Sequence, residues 1–428
     1  MIKKLALAAL ALVLLATGAA AAVLVRMREE RPEGSLDTQL KGISYSTVRT
    51  TAAEPMTTSK TTKSKRHTKR AKLLEDGPCS PYFGSNPQRT SARIHIHPGI
   101  PKHRPLWARS MHGYVEYPPS YCNGRLYVNN VRGTTFALDA RTGKILWRRR
   151  VGAHKPSTPA IAGDRLIVSS KDGTVTALSR AHGRLLWQIR IDAKIESSPL
   201  VIRNTTYFGA TDGRLFAADV RTGHIRWAYD TGGRINSSPS VWGNRIFITT
   251  YAGSVFCLDR RNGRRLWRKY VNRDVFRAES FYASPSTDGA RVYTISRTGK
   301  VVALSALSGR VVWTRDQGGY GYSTPSVAHG RVYVGGFDGY LYAYRATNGT
   351  RLWRTRVHGR VSGATMVAGN LVFVSTAETD TFAVRASDGK KVWHIGLGKY
   401  VPGIATKRHY FLTLNGLLVA FRGSGRMG

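Results

Sequence analysis

Three cysteines (Cys79, Cys122 and Cys257) and twelve histidines are the side chains of this 428-residue chain best suited to redox or metal chemistry. Their spacing supports little of either. No two cysteines are adjacent or form a Cys-x-x-Cys pair. His95-Ile96-His97 is the one close histidine pair. Strand alternation puts both rings on one side, half a zinc site, and spacing offers no third ligand. From Trp107 onward there are 18 Asp and Glu against 48 Lys and Arg. Most of those acids, such as Asp139, Asp172, Asp212, Asp219, Asp259, Asp338 and Asp388, sit in turns, where Asp ordinarily bonds its own backbone. Glu196, Asp274 and Glu279 lie in connecting loops, too few and scattered for calcium, which takes about six to eight oxygens. Gly318-Gly319-Tyr320-Gly321 and Gly335-Gly336 fall between strand-like runs, with no helix to offer N–H groups to a phosphate. No Ser-centred nucleophile elbow is present.

The elements that would position any site are set by a repeat. Trp107, Trp147, Trp187, Trp227, Trp267, Trp313, Trp353 and Trp393 recur in steps of 40 residues, with one step of 46. Trp242 is the only other tryptophan. A period in the low forties with strand-like content signals a β-propeller, one four-stranded blade per repeat. Each repeat opens on a short strand (Ser197-Ser198-Pro199-Leu200-Val201). A β-branched and aromatic run follows (Arg331-Val-Tyr-Val), then an Asp-Gly turn (Asp212-Gly213) and a strand ending Ala-Leu, as at Ala137-Leu138. Gly143, Gly183, Gly223, Gly263, Gly309, Gly349 and Gly389 each stand four residues before their Trp. The indoles are expected to dock between blades. Strand-like sequence continues past Trp393 through Tyr410–Leu414 and Leu417–Phe421 without another Trp. The strand of Trp107, which has no repeat before it, is therefore expected to complete the last blade and hide the free edges. The fold class is all-β, an eight-bladed propeller.

Ala137-Leu-Asp-Ala-Arg-Thr-Gly-Lys-Ile-Leu-Trp147 resembles the tryptophan-docking motif of the pyrroloquinoline-quinone (PQQ)-like propellers, over about residues 105–424. Several repeats depart from it, with Ser179, Ser305, Arg345 and Arg385 in place of the Asp. A Tyr-Gly…Arg-Thr stretch leads into the first strand in that family and has a counterpart here in Tyr82-Phe-Gly84…Arg89-Thr90. The family includes quinoprotein alcohol dehydrogenases, the outer-membrane assembly factor BamB and many extracytoplasmic proteins. Its enzymes hold the quinone in the central funnel with a calcium ion, a catalytic Asp and a disulfide between adjacent cysteines. This chain has no adjacent cysteines and few acids. The resemblance therefore implies a non-enzymatic member of the BamB-like branch, with no cofactor, catalytic residue or metal expected. Residues just before the Ser-Pro strands should line the mouth of the axis: Lys155, Glu196, Asn236, Tyr282 and Tyr322.

Lys3-Lys4 precede an apolar run from Leu5 to Val25, long enough to span a bilayer of about 30 Å as a helix. Its length favours an uncleaved signal anchor within residues 1–31; the rival is a secretory signal peptide cleaved near Ala19–Ala22. Residues 32–80, rich in Thr, Ser and Lys, are expected to form a flexible stalk, and residues 81–428 the propeller. The propeller is then extracytoplasmic, on a single-pass membrane protein. Outside the cytoplasm Cys79 and Cys122 are free to pair, though spacing alone does not bring them together; Cys257 replaces a small Ala of the repeat and is expected to be a buried thiol. The net charge of +41 favours anionic partners. Export and the lack of a nucleic-acid motif point away from DNA and toward envelope components. The expected function is a monomeric binding or scaffold propeller, with a protein partner or an anionic envelope component, and cell-envelope protein assembly is the process it would serve. A PQQ-dependent dehydrogenase and an extracytoplasmic ligand sensor are the alternatives.

Overall fold

The repeat folds as four antiparallel strands, and the choice of residues at each strand follows from what the strand faces. In the computed structural model, residues 77–271 and 280–424 are described, together with the backbone of strand Tyr45–Arg49. The apolar run Leu5–Val25, most of the expected stalk, and Asp274 and Glu279 lie outside the described residues. Among the described residues no helix is long and apolar enough to cross a membrane.

Eight sheets make up an eight-bladed propeller. Blades 1 to 7 are sequential hairpins; blade 1 consists of Ser120–Cys122, Arg125–Asn129, Thr134–Asp139 and Ile145–Arg150. Blade 8 takes its three inner strands from Ile404–Ala405, His409–Leu414 and Leu417–Gly423, and its outermost strand from Pro101–Ser110 at the other end of the domain. In that pairing Trp107 lies opposite Ala420. Strand Tyr45–Arg49 adds a fifth strand to blade 2 by pairing with Leu185–Ile191. The middle strands of each blade are buried on both sides, which explains their continuous apolar runs. The core lies between blades: Leu200, Tyr207 and Leu215 of blade 3 pack with Ile246, Ile248 and Phe256 of blade 4.

Each Trp locks one blade to the next. A residue with a small side chain faces it on the neighbouring strand, as at Ala137↔Trp147 and Ala217↔Trp227, because a larger one would lift the indole. Cys257 fills that place opposite Trp267. The indole lies over the glycine turn of the following blade. A Cβ added at Gly223 would stand 2.7 Å from Cε3 of Trp187, and φ there is +77°. The other six turn glycines meet their indoles equally closely, at 2.6–2.7 Å. Seven of the eight indole N–H groups donate to a backbone carbonyl in the same turn, at 2.9–3.2 Å: Trp107 to Ala140, Trp147 to Arg180, Trp187 to Val220, Trp227 to Arg260, Trp267 to Ala306, Trp313 to Ala346 and Trp353 to Ala386. Asp139 shapes the turn by accepting from the N–H of Arg141 and Thr142 at 3.0 and 2.9 Å. Trp393 is the exception. Its following blade has no such turn, its buried Nε1 has no partner among the described residues, and His103 of the closing strand lies beside its ring at 6.0 Å.

The lead-in closes the axis. Innermost strands of a propeller carry an unpaired edge toward the channel, and residues 80–93 satisfy it blade by blade. Ser80 pairs with Tyr121; the carbonyls of Pro81, Pro87, Gln88, Thr90 and Ser91 accept from Ile161, Val241, Thr287, Val327 and Val367. Arg89, fully buried, spans blades 3 and 4 by donating to Ser198 O at 2.8 Å and Pro239 O at 2.6 Å, and it also reaches Phe83 O. Burial lowers its pKa to about 9, with Tyr82 opposing. Arg93 donates to Ala405 of blade 8 at 2.6 Å and also to Pro78. A Cys79–Cys122 disulfide ties this lead-in to blade 1.

The indole–glycine packing can be tested at a single turn. Gly223→Ala should cost about 2–4 kcal/mol, combining left-handed strain with displacement of Trp187. Gly163→Ala has the same strain at φ +60° but open space around its Cβ, so it should cost no more than about 1–2 kcal/mol. Equilibrium denaturant unfolding compares them, and equal effects would remove the indole as the cause. The buried thiol offers a second test. Burial pushes the Cys257 thiol up to about 12, so in the folded protein it should resist alkylation near pH 8. Intact mass after alkylation should show no label on the native protein, one on the unfolded protein, and three after unfolding with reductant.

Candidate functional site

A cavity of about 400 Å³ opens on the propeller axis, with Phe83 of the lead-in among its lining residues. Its walls come from the connections that enter the innermost strands. The residue four positions before each of those strands supplies an upper ring: Glu116, Glu196, Asn236, Tyr282, Tyr322, Ser362 and Tyr400. A tier of small residues lies two positions further along the chain, at Ser198, Ser238, Ser284, Thr324 and Ala364. Hydroxyls in this tier bridge blades. The N–H of Ser198 donates to Ser238 Oγ at 2.9 Å, that of Ser238 to Ser284 Oγ at 2.9 Å, and that of Ser284 to Thr324 Oγ1 at 3.2 Å. Repeated Ser-Ser-Pro therefore serves as a belt joining the walls as well as a strand marker.

The ring is polar on one side and aromatic on the other. Glu196 receives Lys171 Nζ at 2.6 Å, Asn236 Nδ2 at 2.6 Å and the Tyr282 hydroxyl at 3.3 Å. Burial alone would raise its pKa, but these hydrogen bonds and the Lys171 charge outweigh it and hold the carboxyl below its usual range. Glu116 is ion-paired with Lys155 at 3.3 Å. Across the cavity, the Tyr282 and Tyr322 rings meet edge to face at 5.7 Å, and Tyr322 lies 5.3 Å from Phe337. Burial, then the two glutamates, raises the Tyr282 hydroxyl above its ordinary value; the same causes raise Tyr117, with Tyr282 adding to them. Both phenols remain protonated donors at neutral pH. Arg360 is neutralised by Glu378, with Nε to Oε1 at 2.8 Å.

Of the five residues marked in the sequence, Glu196, Asn236, Tyr282 and Tyr322 meet in this cavity. Lys155 does not line it. The other four stand three positions before the Pro of their Ser-Pro strand, whereas Lys155 stands four before Pro159, and Pro156 occupies the equivalent position. Lys155 reaches the site only through Glu116. Glu116, Tyr400 and Ser362 were missed because their blades lack the Ser-Pro marker. Counting back from the strand start instead of from Ser-Pro finds all three. Phe337 and Phe83 project from a turn and from the lead-in, where the repeat carries no signal.

The family model described as outer membrane protein assembly factor BamB, a PQQ-type repeat model, matches residues 101–277 and 253–401, more than half of the chain. The chain belongs to this family of PQQ-like propellers. No curated protein sequence matches it. Among solved structures, BamB from Moraxella catarrhalis is similar at TM-score 0.65 and 14% identity, covering 74% of this chain and 99% of its own. A quinohemoprotein alcohol dehydrogenase from Comamonas testosteroni is similar at 0.68 and 15%, covering 85% of each. A europium-containing methanol dehydrogenase is similar at 0.70 and 14%, covering 83% of this chain and 100% of its own. At these identities the structures share the fold alone with this PQQ-like propeller.

The described residues do not fit a quinone held with a calcium ion. The carboxylates lining the cavity, Glu116 and Glu196, are each committed to a lysine, and the Asn236 amide is turned to Glu196. No group of three or more His, Cys, Asp or Glu that could hold a metal occurs among the described residues. Cys79 bonds to distant Cys122, so no disulfide joins neighbouring residues at the axis.

Glu196 makes the site pH-sensitive in one direction. A carboxyl whose pKa is depressed on folding adds stability above its unfolded value and loses it as pH falls through the folded value. Glu196→Gln should therefore unfold at lower temperature than the parent near pH 7, with the gap closing once the pH drops below the ordinary glutamate range. Calorimetric scans from pH 3 to 8 measure this; a gap that stays constant with pH would mean that Lys171 and Asn236 do not act on the ionised form.

Proposed function

We propose that this chain is an extracytoplasmic, membrane-anchored propeller that acts by binding and serves in cell-envelope protein assembly, with a segment of a partner protein seated in the axial cup. The observation that carries this reading is the cup itself: Tyr282, Tyr322, Phe337 and Tyr400 on one side face Glu116, Glu196 and Asn236 on the other, over a floor closed by the lead-in. Aromatic walls with a few fixed polar groups suit a peptide side chain, and fixed rings lose little entropy on binding.

Two features support the compartment. The Cys79–Cys122 disulfide is of the kind that persists in an oxidising environment, and the Leu5–Val25 run has the length of a membrane anchor. A monomer suits a ring in which the first and last strands of the domain pair with each other. Binding to an anionic envelope component is compatible with this reading.

The test is site-specific photo-crosslinking in intact envelopes, with the photoreactive residue at Phe337 and, as a control, at exposed Leu146 on the outermost strand of blade 1. The cup position should capture one defined polypeptide and the control position should not. Tyr282→Ala with Tyr322→Ala should weaken the purified pair by about 30-fold or more, since central aromatic anchors carry about 2 kcal/mol or more in such interfaces. Equal capture at both positions, or unchanged affinity in the double variant, would move the partner off the axis. Appearance of a bound-quinone absorbance on adding PQQ and calcium would favour the dehydrogenase reading instead.

A further inference from the structure

Beside the mouth, between blades 8 and 1, lies a groove of about 690 Å³ lined by Arg132, Arg148, Arg149, Arg150 and His112, with no acidic residue in its lining. Among the described residues none of these four guanidinium groups has an ion pair or a hydrogen bond from its side chain. Elsewhere in the molecule some arginines are ion-paired. Arg261 is held by Asp259, Arg226 by Asp219 and Arg360 by Glu378, each at 2.6–2.8 Å.

The repeat provides an internal control for what the fold requires at these positions. Arg132 occupies the turn position of Asp172, Asp212 and Asp338, whose carboxylates accept from the N–H two residues on at 3.0–3.2 Å. Arg150 lies opposite Thr134, as Asp230 lies opposite Arg214 and Asp316 opposite Lys300. Asp230 and Asp316 accept from the N–H of the glycines that follow, at 2.7 and 2.8 Å. Blade 1 has thus exchanged both local-turn acids for arginine: Asn130 Oδ1 accepts from the Thr134 N–H at 2.9 Å in place of the first acid, and the turn bond of the second is forgone. Blades 2 and 6 carry Arg190 and Arg356 at the second position but keep Asp172 and Asp338 at the first. Three consecutive arginines in the outermost strand also occur only in blade 1 among the described blades. Folding does not call for this charge, and the groove holds nothing to offset it.

We propose that this groove is a binding site for a linear phosphate-bearing polyanion. Guanidinium forks match phosphate oxygens, two donors to two acceptors. Four such groups exceed the charge of one phosphate, about −1.5 to −2, so the complementary ligand carries several phosphates in series. The cations line a concave groove, with no exposed large apolar side chain in its lining, which suits a chain laid along it better than a flat lipid surface. This site is separate from the axial cup, and neither proposal depends on the other.

The test uses the full chain in a neutral detergent with fluorescently labelled inorganic polyphosphate as probe, titrated at several salt concentrations. Arg132→Gln with Arg148→Gln and Arg150→Gln should weaken binding by about 30-fold or more at low salt. The slope of log affinity against log salt should flatten by about 2, since each phosphate that is no longer neutralised removes about 0.7 from it. A charge-matched control, Arg141→Gln with Arg221→Gln and Arg351→Gln at exposed turn and outer-strand positions, should leave the slope within about 0.5 of the parent. A second variant, Arg132→Asp with Arg150→Asp, restores the residues that blade 3 already carries; it should fold with unchanged or higher thermal stability and abolish binding. Equal weakening in the two triple variants would reduce the effect to net charge and overturn the proposal. So would equal affinity for polyglutamate, which lacks phosphate, or binding to phosphatidylglycerol vesicles that polyphosphate does not displace.

Discussion

The contact between an indole and the glycine turn of the next blade is the constraint on which this structure depends. A four-stranded blade has two apolar faces and cannot bury either alone, so its stability is that of the ring. The indole solves three problems at one place. It covers apolar surface of the adjacent blade and gives its N–H to a carbonyl there. It also demands a turn with no side chain beneath it. The last demand explains why the motif must end in glycine, and the small residue across the strand explains the Ala before Leu. Even the exception follows the rule: Cys257 is the next smallest apolar choice opposite an indole, which leaves its thiol buried and inert.

Closing the ring creates a seam, and the seam is paid for at Trp393. The final blade takes its outer strand from the start of the domain, so the turn that should receive this indole does not exist. His103 covers the ring in its place and the Nε1 group goes without a partner among the described residues. Leaving a buried donor unpaired costs about 1–3 kcal/mol, while an exposed strand edge and an uncovered blade face would cost more. The same N-terminal segment then turns inward and caps the unpaired edges of the innermost strands. Arg89 is central to that cap because one guanidinium can serve carbonyls of two blades and of its own lead-in at once. A lysine in its place would supply no fork. Gly84 is required by the same arrangement: a Cβ there would stand 2.8 Å from the Arg89 Cα. The plug gives the axial channel a floor, so the cavity is a cup.

Much of this was legible in the sequence because it repeats. The spacing of eight tryptophans, the glycines four residues before them and the Trp-less tail together specify the ring of blades. The Tyr82-Phe-Gly84…Arg89-Thr90 stretch marked the lead-in, though nothing local to it told that it would thread past all eight innermost strands. The cup was legible only where the repeat carried a marker. Ser-Pro flagged Glu196, Asn236, Tyr282 and Tyr322, and Lys155 fell outside because Pro156 holds the equivalent position three before Pro159. Glu116 and Tyr400 belong to blades in which Pro118-Pro119 and Pro402-Gly403 stand where the others have Ser-Pro. The Cys79–Cys122 pairing was offered by the expected compartment and not fixed by spacing, because it depends on where the lead-in re-enters blade 1.

The division between what repeats and what does not is also the division between fold and function in this molecule. Positions under the indoles, in the turns and across from Trp are nearly the same in every blade, so their chemistry answers to packing. The upper ring of the cup runs Glu, Glu, Asn, Tyr, Tyr, Ser and Tyr, a sequence with no period. No requirement of blade geometry selects among those types, since each blade enters its innermost strand by the same path. The same reasoning applies at the rim, where blade 3 carries Asp212 and Asp230 in a local role and blade 1 carries Arg132 and Arg150 without one. A change that forgoes a turn hydrogen bond and concentrates like charge lowers stability locally, by mutual repulsion as well as by weaker capping. In a ring of near-identical blades, such departures locate the surfaces whose composition answers to something outside the fold.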